Sequence, residues 1–354
     1  MDIQIGLQTV GKNSKVFIIA EIGINHEGDL GRCLEMVHSC HEAGANSVKL
    51  QSADPDENYV KGHVSWELFK RAQLSKEATA EVFELTKKLG MEPMTTSPDL
   101  GTLNWVDELG VTSHKVSSGM LTNDYILKKT SEKKKPILIS TGMSGVSEID
   151  HAINICRPLI GEKLILFQCT SLYPTPNEYL NLNSIPWMQE RYQLPVGFSD
   201  HSLGIDASIL AVGLGAVVIE KHFTFDKKRE GFDHKISLES MGFSELVKRI
   251  RATNIKNAKD VINSIDNAEL MLGPYHKIQP PQMEEVAKNN LRCLVARRSI
   301  KKGELFTEIN VGFKRPFASN RGLEPIYFEQ IVGRKSNKDF NIDDPIKSDS
   351  LERG

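Results

Sequence analysis

Eight short apolar runs recur along the first 270 residues of the chain, and a polar cluster ends each of them. The runs occupy residues 15–21, 46–51, 91–97, 114–118, 136–140, 164–169, 195–199 and 216–220. Several are apolar throughout, as strands are when helices cover them. Helix-like patterns separate the runs, and one begins after Ser75, a predicted N-cap, and ends at Gly90. Eight strands alternating with helices predict a (β/α)₈ TIM barrel, because the alternative, a doubly wound sheet, usually has fewer strands.

A second, smaller domain follows the predicted barrel domain of residues 1–270. Gly273-Pro274 and Pro280-Pro281 interrupt any continuous helix, which predicts a linker over residues 271–287. From residue 288 to residue 354 short strand-like pieces alternate with turns, as at Leu294-Val295-Ala296. This pattern predicts a small, mostly β domain that is marginally stable alone and therefore packs on another surface.

Charge and composition exclude several functions. The 354 residues carry a net charge of −2, so no overall field attracts nucleic acid or a membrane surface. No apolar run approaches the roughly 18 residues of a membrane-spanning helix, and the N-terminus shows no signal-peptide pattern. The five cysteines have neither C-x-x-C nor zinc-knuckle spacing and are expected to be reduced, buried thiols. These features together predict a cytoplasmic protein.

Lysines and hydroxyls stand at the carboxyl ends of the predicted strands, where barrel enzymes gather their chemistry. Lysines supply positive charge and serines supply directional donors, so this combination predicts a phosphate site. The residues concerned are Lys49, Ser97, Lys115, Ser118, Ser140 and Ser199. Any single one of them is better explained as the end of a strand, so the prediction depends on the whole set.

Two neighbouring strands end in polar clusters that contain His201 and His222. Imidazole binds Mn, Fe, Zn and similar divalent ions, and Glu21 or water would fill further positions. Two histidines with open positions predict a catalytic ion that holds water and substrate, rather than a closed structural site. The expected cofactor is Mn²⁺, with Mg²⁺ or Co²⁺ as alternatives.

Seven motifs resemble, in order, those of the sialic acid synthase family, the nonulosonate synthases. The motifs are residues 17–30 (FIIAEIGINHEGDL), 48–51 (VKLQ), 115–119 (KVSSG), 139–143 (ISTGM), 169–174 (CTSLYP), 198–201 (FSDH) and 220–223 (EKHF). The tail resembles the antifreeze-like (SAF) domain of that family, so the resemblance covers nearly the whole chain. It implies a condensation of phosphoenolpyruvate with an open-chain N-acylated aminosugar of the N-acetylmannosamine type. The implied products are a nine-carbon α-keto acid and phosphate.

The resemblance also implies roles for individual residues. Phosphoenolpyruvate would be held by the lysines and serines named above, and the metal by His201 and His222. Catalysis would involve these histidines together with Glu21 and Glu220. The residues implied around the sugar are Gln51, Tyr173, Asp233 and Arg315. Arg315 would come from the SAF domain of a partner chain, which implies a domain-exchanged homodimer.

Several alternatives stay open at the level of sequence. Ser171 stands where the bacterial sialic acid synthases usually carry asparagine, so N-acetylmannosamine, its 6-phosphate and the precursors of legionaminic or pseudaminic acid all remain candidates. The opening residues 22–26 favour N-acetylmannosamine or a legionaminic-type precursor. A TIM-barrel metallohydrolase would use the histidines but leaves the lysines and serines unexplained. A non-catalytic ice- or glycan-binding protein would favour a threonine-rich repeat, which the tail lacks. The residues also leave open which carboxylate or bound water acts as the base.

Overall fold

A closed barrel of eight parallel strands forms the centre of the computed structural model, which describes residues 2–253 and 258–351. An antiparallel hairpin precedes the barrel. The hairpin strands are β1 (Asp2–Ile5) and β2 (Gln8–Gly11), and the barrel strands are β3 (Phe17–Gly23), β4 (Ser47–Gln51), β5 (Glu92–Thr96), β6 (His114–Val116), β7 (Ile137–Ser140), β8 (Leu164–Gln168), β9 (Val196–Asp200) and β10 (Val218–His222). Barrel strands pair in chain order, and β10 closes the barrel against β3. The predicted TIM barrel is therefore confirmed.

The hairpin covers the amino-terminal end of the barrel. Ile3 and Val10 belong to the same apolar cluster as Phe17, which opens β3. The backbone N–H of Leu7 donates to Oε1 of Glu92, the first residue of β5, at 3.1 Å. This end of the barrel is therefore closed by protein, and the opposite end is free to form a site.

Side chains of the barrel strands alternate between two buried apolar layers. In β3, Phe17 and Ile19 join the cluster that fills the interior of the barrel, together with Phe167 of β8. Ile18 and Ala20 point the other way and pack with the surrounding helices. Because both faces of each strand are covered, the sequence shows continuous apolar runs rather than alternating ones.

Helices surround the barrel and connect its strands. They are α1 (Leu30–Glu42), α2 (Pro55–Asn58), α3 (Val64–Ala72), α4 (Lys76–Lys88), α5 (Leu100–Glu108), α6 (Asp124–Glu132), α7 (Val146–Ile160), α8 (Ser184–Tyr192), α9 (Asp206–Gly213) and α10 (Ser240–Ala252). Helix α4 begins as predicted, because Oγ of Ser75 accepts a hydrogen bond from the N–H of Ala78 at 3.1 Å. Gly90 follows the same helix with φ of +78°, a conformation that glycine adopts without strain.

A small domain with its own apolar core follows the barrel. Its elements and those of the connection are α11 (Ala258–Asn263), α12 (Ala268–Leu272), α13 (Gln282–Asn290), β11 (Cys293–Ala296), β12 (Val311–Lys314) and α14 (Phe328–Ile331). Strands β11 and β12 pair antiparallel. Phe306, Phe328, Phe340 and Ile346 form part of the core around them. Helix α13 begins within the stretch that was expected to be a linker, directly after Pro281.

The tail domain packs on the carboxyl-terminal end of its own barrel. Tyr125 of α6 stacks on Phe313 of β12, with ring centroids 5.4 Å apart. The backbone N–H of Arg315 donates to the carbonyl of Asn58 at 2.8 Å, and the N–H of Val60 donates to the carbonyl of Arg315 at 3.2 Å. The loop after α2 is thereby joined to the tail through backbone hydrogen bonds.

Two further expectations concern the whole chain. The five cysteines are free and buried, as the sequence predicted. Within residues 2–253 and 258–351, no helix combines the length and the apolar character needed to cross a membrane.

Candidate active site

A cavity of about 160 Å³ lies at the carboxyl ends of the barrel strands, beneath the tail domain. Most of the residues that the sequence singled out line it. These are Glu21, Lys49, Gln51, Lys115, Ser118, Ser140, Tyr173, Ser199, His201, Glu220, His222 and Arg315. The barrel strands and the tail domain thus bring together side chains that are up to 294 positions apart in the chain, from Glu21 to Arg315.

Ser97 and Asp233 do not line this cavity. Thr96 lines it instead of Ser97, because adjacent residues of an extended segment point to opposite sides. Asp233 lies just outside the cavity, and its Oδ2 is 3.8 Å from Nδ1 of His222. Substrate binding by Ser97 and by Asp233 therefore stays a prediction.

Two lysines and two glutamates form a buried network on the floor of the cavity. Nζ of Lys49 lies 2.5 Å from Oε2 of Glu21 and 3.7 Å from Oε1 of Glu220. Nζ of Lys115 lies 3.5 Å from the same oxygen of Glu220. Oγ of Ser199 also donates a hydrogen bond to this oxygen, at 3.0 Å. The four charges compensate one another, which makes their burial tolerable.

The two carboxylates differ in acidity. Burial raises the pKa of Glu21 to about 7, although the neighbouring Lys49 acts in the opposite direction. Burial would also raise the pKa of Glu220, but Lys115 and Lys49 outweigh burial and lower that pKa below its ordinary value. Glu220 therefore stays ionised at neutral pH, while Glu21 exchanges a proton there. Two neighbouring carboxylates whose environments separate their pKa values in this way are typical of acid–base sites.

The ends of β6 and β7 form a cradle of donors. Lys115 donates to Oγ of Ser140 at 2.6 Å, and the backbone N–H of Gly142 donates to Oγ of Ser118 at 2.9 Å. A Cβ atom on Gly142 would lie 2.5 Å from Oγ of Ser171 and 2.8 Å from Sγ of Cys169, so only glycine fits. An ammonium group, hydroxyls and an approachable backbone are the groups that bind phosphate oxygens.

His201 and His222 face each other across the other side of the mouth, with ring centroids 5.6 Å apart. Nδ1 of His201 lies 2.9 Å from the carbonyl of Thr170, so this nitrogen carries the proton and Nε2 keeps its lone pair. Burial lowers the pKa of His201 to about 4 and holds the pKa of His222 well below its ordinary range. Both rings are thus neutral at pH 7, the state in which imidazole binds metal.

The histidine pair fits an open metal site. Within the described parts of the chain, no group of three or more His, Cys, Asp and Glu side chains has the arrangement of a metal centre. A closed structural site is therefore not built from these residues. Nδ1 of buried His222 has no hydrogen-bond partner, which leaves it able to accept a cation. Two neutral imidazoles with further positions left to water or substrate match a catalytic ion.

A fully buried ion pair holds the strands that carry these histidines. Nζ of Lys221 lies 3.0 Å from Oδ2 of Asp200, and each residue immediately precedes one of the histidines. Lys221 also donates to the carbonyl of Ser202 at 2.6 Å. Neighbouring residues on a strand point to opposite faces, so this pair packs outside the barrel while the histidines face the mouth.

The tail contributes two arginines to the mouth. Nη1 of Arg315 donates to Oγ of Ser65 at 2.9 Å, and Arg315 and Arg292 each place the guanidinium carbon 5.3 Å from the ring centre of Tyr59. The sequence assigned Arg315 to the site of a partner chain. In the structure it completes the mouth of its own barrel, because α13 and β11 lead the tail back over the same chain. The domain-exchanged homodimer stays a prediction.

Sequence reasoning missed Arg292, Tyr59, Phe69 and Met143, which also line the cavity. None of them stands at the end of a barrel strand. Tyr59 and Phe69 come from the segment between β4 and α4, and Arg292 directly precedes β11. No signal in the sequence marked Arg292, because it reaches the mouth only through the packing of the tail on the barrel.

Comparisons with known proteins agree with this architecture. Residues 36–262 match the NeuB family, and residues 292–352 match the SAF domain. An uncharacterized protein of Methanocaldococcus jannaschii is 39% identical over 349 residues, which cover 99% of this chain and 98% of that protein. The N,N'-diacetyllegionaminic acid synthase of Legionella pneumophila is 33% identical over 367 residues, with 98% of both chains covered.

A solved structure supports the placement of the tail. The spore coat polysaccharide biosynthesis protein SpsE of Bacillus subtilis is 29% identical and superposes with a TM-score of 0.87 over 100% of both chains. The superposition therefore includes the tail domain as well as the barrel. From the family match, the relatives and the fold, the chain belongs to the NeuB family of nonulosonate synthases and is a sialic acid synthase-like transferase with a C-terminal SAF domain.

Proposed function

We propose that this enzyme condenses phosphoenolpyruvate with an open-chain N-acylated aminosugar, of the N-acetylmannosamine type, to give a nine-carbon α-keto acid and phosphate. The observation that carries the proposal is the pair of buried lysines, Lys49 and Lys115, at the mouth of the barrel beside serine hydroxyls. Such a combination suits a small substrate with several negative charges.

The anionic substrate would lie between the two lysines and the donors at the ends of β6 and β7. Lys115 and Ser140 already contact each other at 2.6 Å, and Ser118 lies beside the N–H of Gly142. These groups would neutralise the phosphate as negative charge accumulates on it during bond cleavage. Ser199, which now donates to Glu220, would be able to turn towards the substrate carboxylate.

The aminosugar would lie on the side of Gln51, Tyr173 and the histidines. Gln51 donates to Glu21 at 2.8 Å, and Tyr173, which is 51% exposed, reaches His201 with its hydroxyl at 3.1 Å. His201 and His222 would hold a divalent ion, for which Mn²⁺ is the first candidate. Such an ion would supply Lewis-acid polarisation of the aldehyde oxygen.

The proposed reaction forms one carbon–carbon bond and breaks one carbon–oxygen bond. C3 of phosphoenolpyruvate attacks the aldehyde carbon, whose oxygen takes up a proton, and C2 becomes electron-deficient. The carboxylates of Glu21 and Glu220 stabilise this positive charge. Water adds to C2 and gives one proton to Glu21, whose pKa of about 7 suits a base at neutral pH. The bond between C2 and the phosphate oxygen then breaks, and phosphate keeps the electron pair. The hydroxyl on C2 loses its proton to the departing phosphate and becomes the keto group.

The exact aminosugar belongs to the proposal as well. The relative from Legionella pneumophila carries the name of an N,N'-diacetyllegionaminic acid synthase, which favours a legionaminic-type precursor beside N-acetylmannosamine. Ser171 lines the cavity next to Gly142, and its short side chain leaves space near the sugar. A pseudaminic acid precursor and N-acetylmannosamine 6-phosphate are the further members of the panel to be tested.

The test is release of inorganic phosphate from phosphoenolpyruvate in the presence of each sugar, with Mn²⁺ added. We expect release to require both substrates and to be fastest with one member of the panel. Mass spectrometry of the product should show the sugar extended by three carbons. Phosphate release from phosphoenolpyruvate alone, or hydrolysis of an unrelated ester, would instead support the metallohydrolase alternative.

A further inference from the structure

Arg292 connects the tail domain to the barrel mouth. It lies between α13 and β11, and its side chain is 4% exposed. It lines the cavity of the active site and also a second cavity of about 370 Å³, which borders the first at Met143 and Arg292. An arginine that is almost fully buried needs partners for its charge and for its five donors.

The protein supplies few of these partners. Nη1 of Arg292 donates to the carbonyl of Asn290 at 3.1 Å, and the guanidinium lies over the ring of Tyr59. Nε of Arg292 is buried without a hydrogen-bond partner. Across residues 2–253 and 258–351, no Asp or Glu oxygen comes within 4.0 Å of this guanidinium to form an ion pair.

A second positive charge lies close by. The guanidinium of Arg315 stacks on the same Tyr59 ring at the same distance of 5.3 Å, and its Nε is also buried without a partner. Burial, and then the charge of Arg315, lower the pKa of Arg292 to about 10, so it is still protonated at neutral pH. Tyr59 and the charge of Asp99 act in the opposite direction, but in the part of the chain that the structure describes no carboxylate pairs directly with either guanidinium. The two like charges therefore repel each other, and an anion bound beside them would relieve this repulsion.

The position of Arg292 points to one end of the substrate. Its Nη1 lies 4.0 Å from the place that a Cβ atom on Gly119 would occupy, and Gly119 directly follows Ser118. Arg292 is therefore on the same side of the cavity as Lys115 and Ser140. The second cavity begins beyond Arg292, so a group held here has space to leave in that direction.

We propose that Arg292 is a further ligand of the phosphate group, which it binds from the tail domain on the side of the cavity where Lys115 lies. The planar guanidinium matches phosphate oxygens with two parallel hydrogen bonds, and an anion there supplies the counter-charge that the protein lacks. This inference rests on the proposed function, because phosphoenolpyruvate is the substrate that carries the phosphate. The tail then serves both substrates: Arg315 is assigned to the aminosugar and Arg292 to the phosphate.

The experiment measures binding of phosphoenolpyruvate, and separately of inorganic phosphate, by isothermal titration. The proteins are the full-length wild type, Arg292→Met, Arg292→Lys, and Arg298→Met as an exposed tail control that pairs with Glu304. We expect Arg292→Met to weaken the binding of phosphoenolpyruvate roughly 10- to 100-fold, the range for loss of a charge-assisted hydrogen bond. The binding of inorganic phosphate should weaken as well. Arg292→Lys keeps the charge but cannot form two parallel hydrogen bonds, so its affinity for phosphoenolpyruvate should fall several-fold. The control should match the wild type.

Steady-state kinetics separate this role from a structural one. The KM for phosphoenolpyruvate should rise in Arg292→Met, while the KM for the aminosugar should change less than about threefold. If Arg292→Met does not fold, as judged by its circular dichroism, the comparison of Arg292→Lys with the wild type decides. Unchanged affinity for phosphoenolpyruvate in the folded variants, or a rise confined to the KM of the sugar, overturns the assignment. A wild type that does not bind phosphoenolpyruvate refutes the proposed function itself, which is a distinct outcome.

Discussion

The acidity of Glu21 can be tested through the pH dependence of stability, without substrate or metal. Two effects oppose each other at this residue, since burial disfavours the carboxylate and Lys49, 2.5 Å away, favours it. The structure indicates that burial wins and raises the pKa from 4.5 to about 7. The variant Glu21→Gln keeps the shape of the side chain and removes its titration.

The sign follows from proton binding. Between pH 4.5 and pH 7 the folded protein holds a proton on Glu21 that the unfolded chain has lost, so the wild type loses stability as pH rises. A pKa raised from 4.5 to about 7 corresponds to about 3 kcal/mol in full, most of which develops between pH 5 and pH 8. Glu21→Gln does not lose stability in this way. The free energy of unfolding of the variant, minus that of the wild type, should therefore rise by this amount from pH 5 to pH 8.

The assay is urea unfolding of both proteins in EDTA at pH 5, 6, 7 and 8, followed by tryptophan fluorescence. Every other titrating group is common to the two proteins, so the difference between them isolates Glu21. Glu220→Gln is the matched control, because the pKa of Glu220 is lowered and its stabilising effect should be lost only as the solution becomes acidic. A constant difference between Glu21→Gln and wild type from pH 5 to pH 8 would show that Lys49 outweighs burial. The assignment of Glu21 as the base would then lose its support.

Three further predictions concern metal, substrate and assembly. Chelation should abolish turnover and Mn²⁺ should restore it, while His201→Ala and His222→Ala should each remove most activity at an unchanged Tm; an active metal-free protein would contradict this. Lys49→Ala and Lys115→Ala should each weaken phosphoenolpyruvate by about 1.5–3 kcal/mol in isothermal titration, and unchanged affinity in both would refute the anion site. Mixing Lys49→Ala with Arg315→Ala under verified subunit exchange should recover activity if the homodimer exchanges its tail domains. No recovery would show that Arg315 acts in its own chain, where the structure places it.

The barrel was predictable because its strands are buried on both faces. That burial leaves a continuous apolar run in the sequence, so each run identified a strand. The bounds were less accurate: the last run, 216–220, corresponds to β10 at Val218–His222. The run was ended at residue 220, although Lys221 and His222 still belong to the strand. The hairpin β1–β2 was missed altogether, since four-residue strands give too short a pattern.

Much of the candidate site could be predicted for a related reason. In a parallel barrel all strands end at the same mouth, so a residue at one strand end is close to residues at the others whatever their separation in sequence. This rule places Lys49, Lys115 and Glu220 together without knowledge of the loops. It does not say which of two consecutive residues faces the mouth: Thr96 lines the cavity and Ser97 does not, because a single step reverses the direction of the side chain.

The contribution of the tail could not be predicted from local patterns, because it depends on contacts between distant segments. Tyr59, Gly119 and Arg292 become neighbours only when the tail packs on the barrel, and nothing in their sequence contexts indicates this. What distinguishes Arg292 is its missing partners: a buried guanidinium without a carboxylate is costly for the free protein. Since such a cost persists only where something offsets it, the unpaired charge identifies a binding residue that no motif marked.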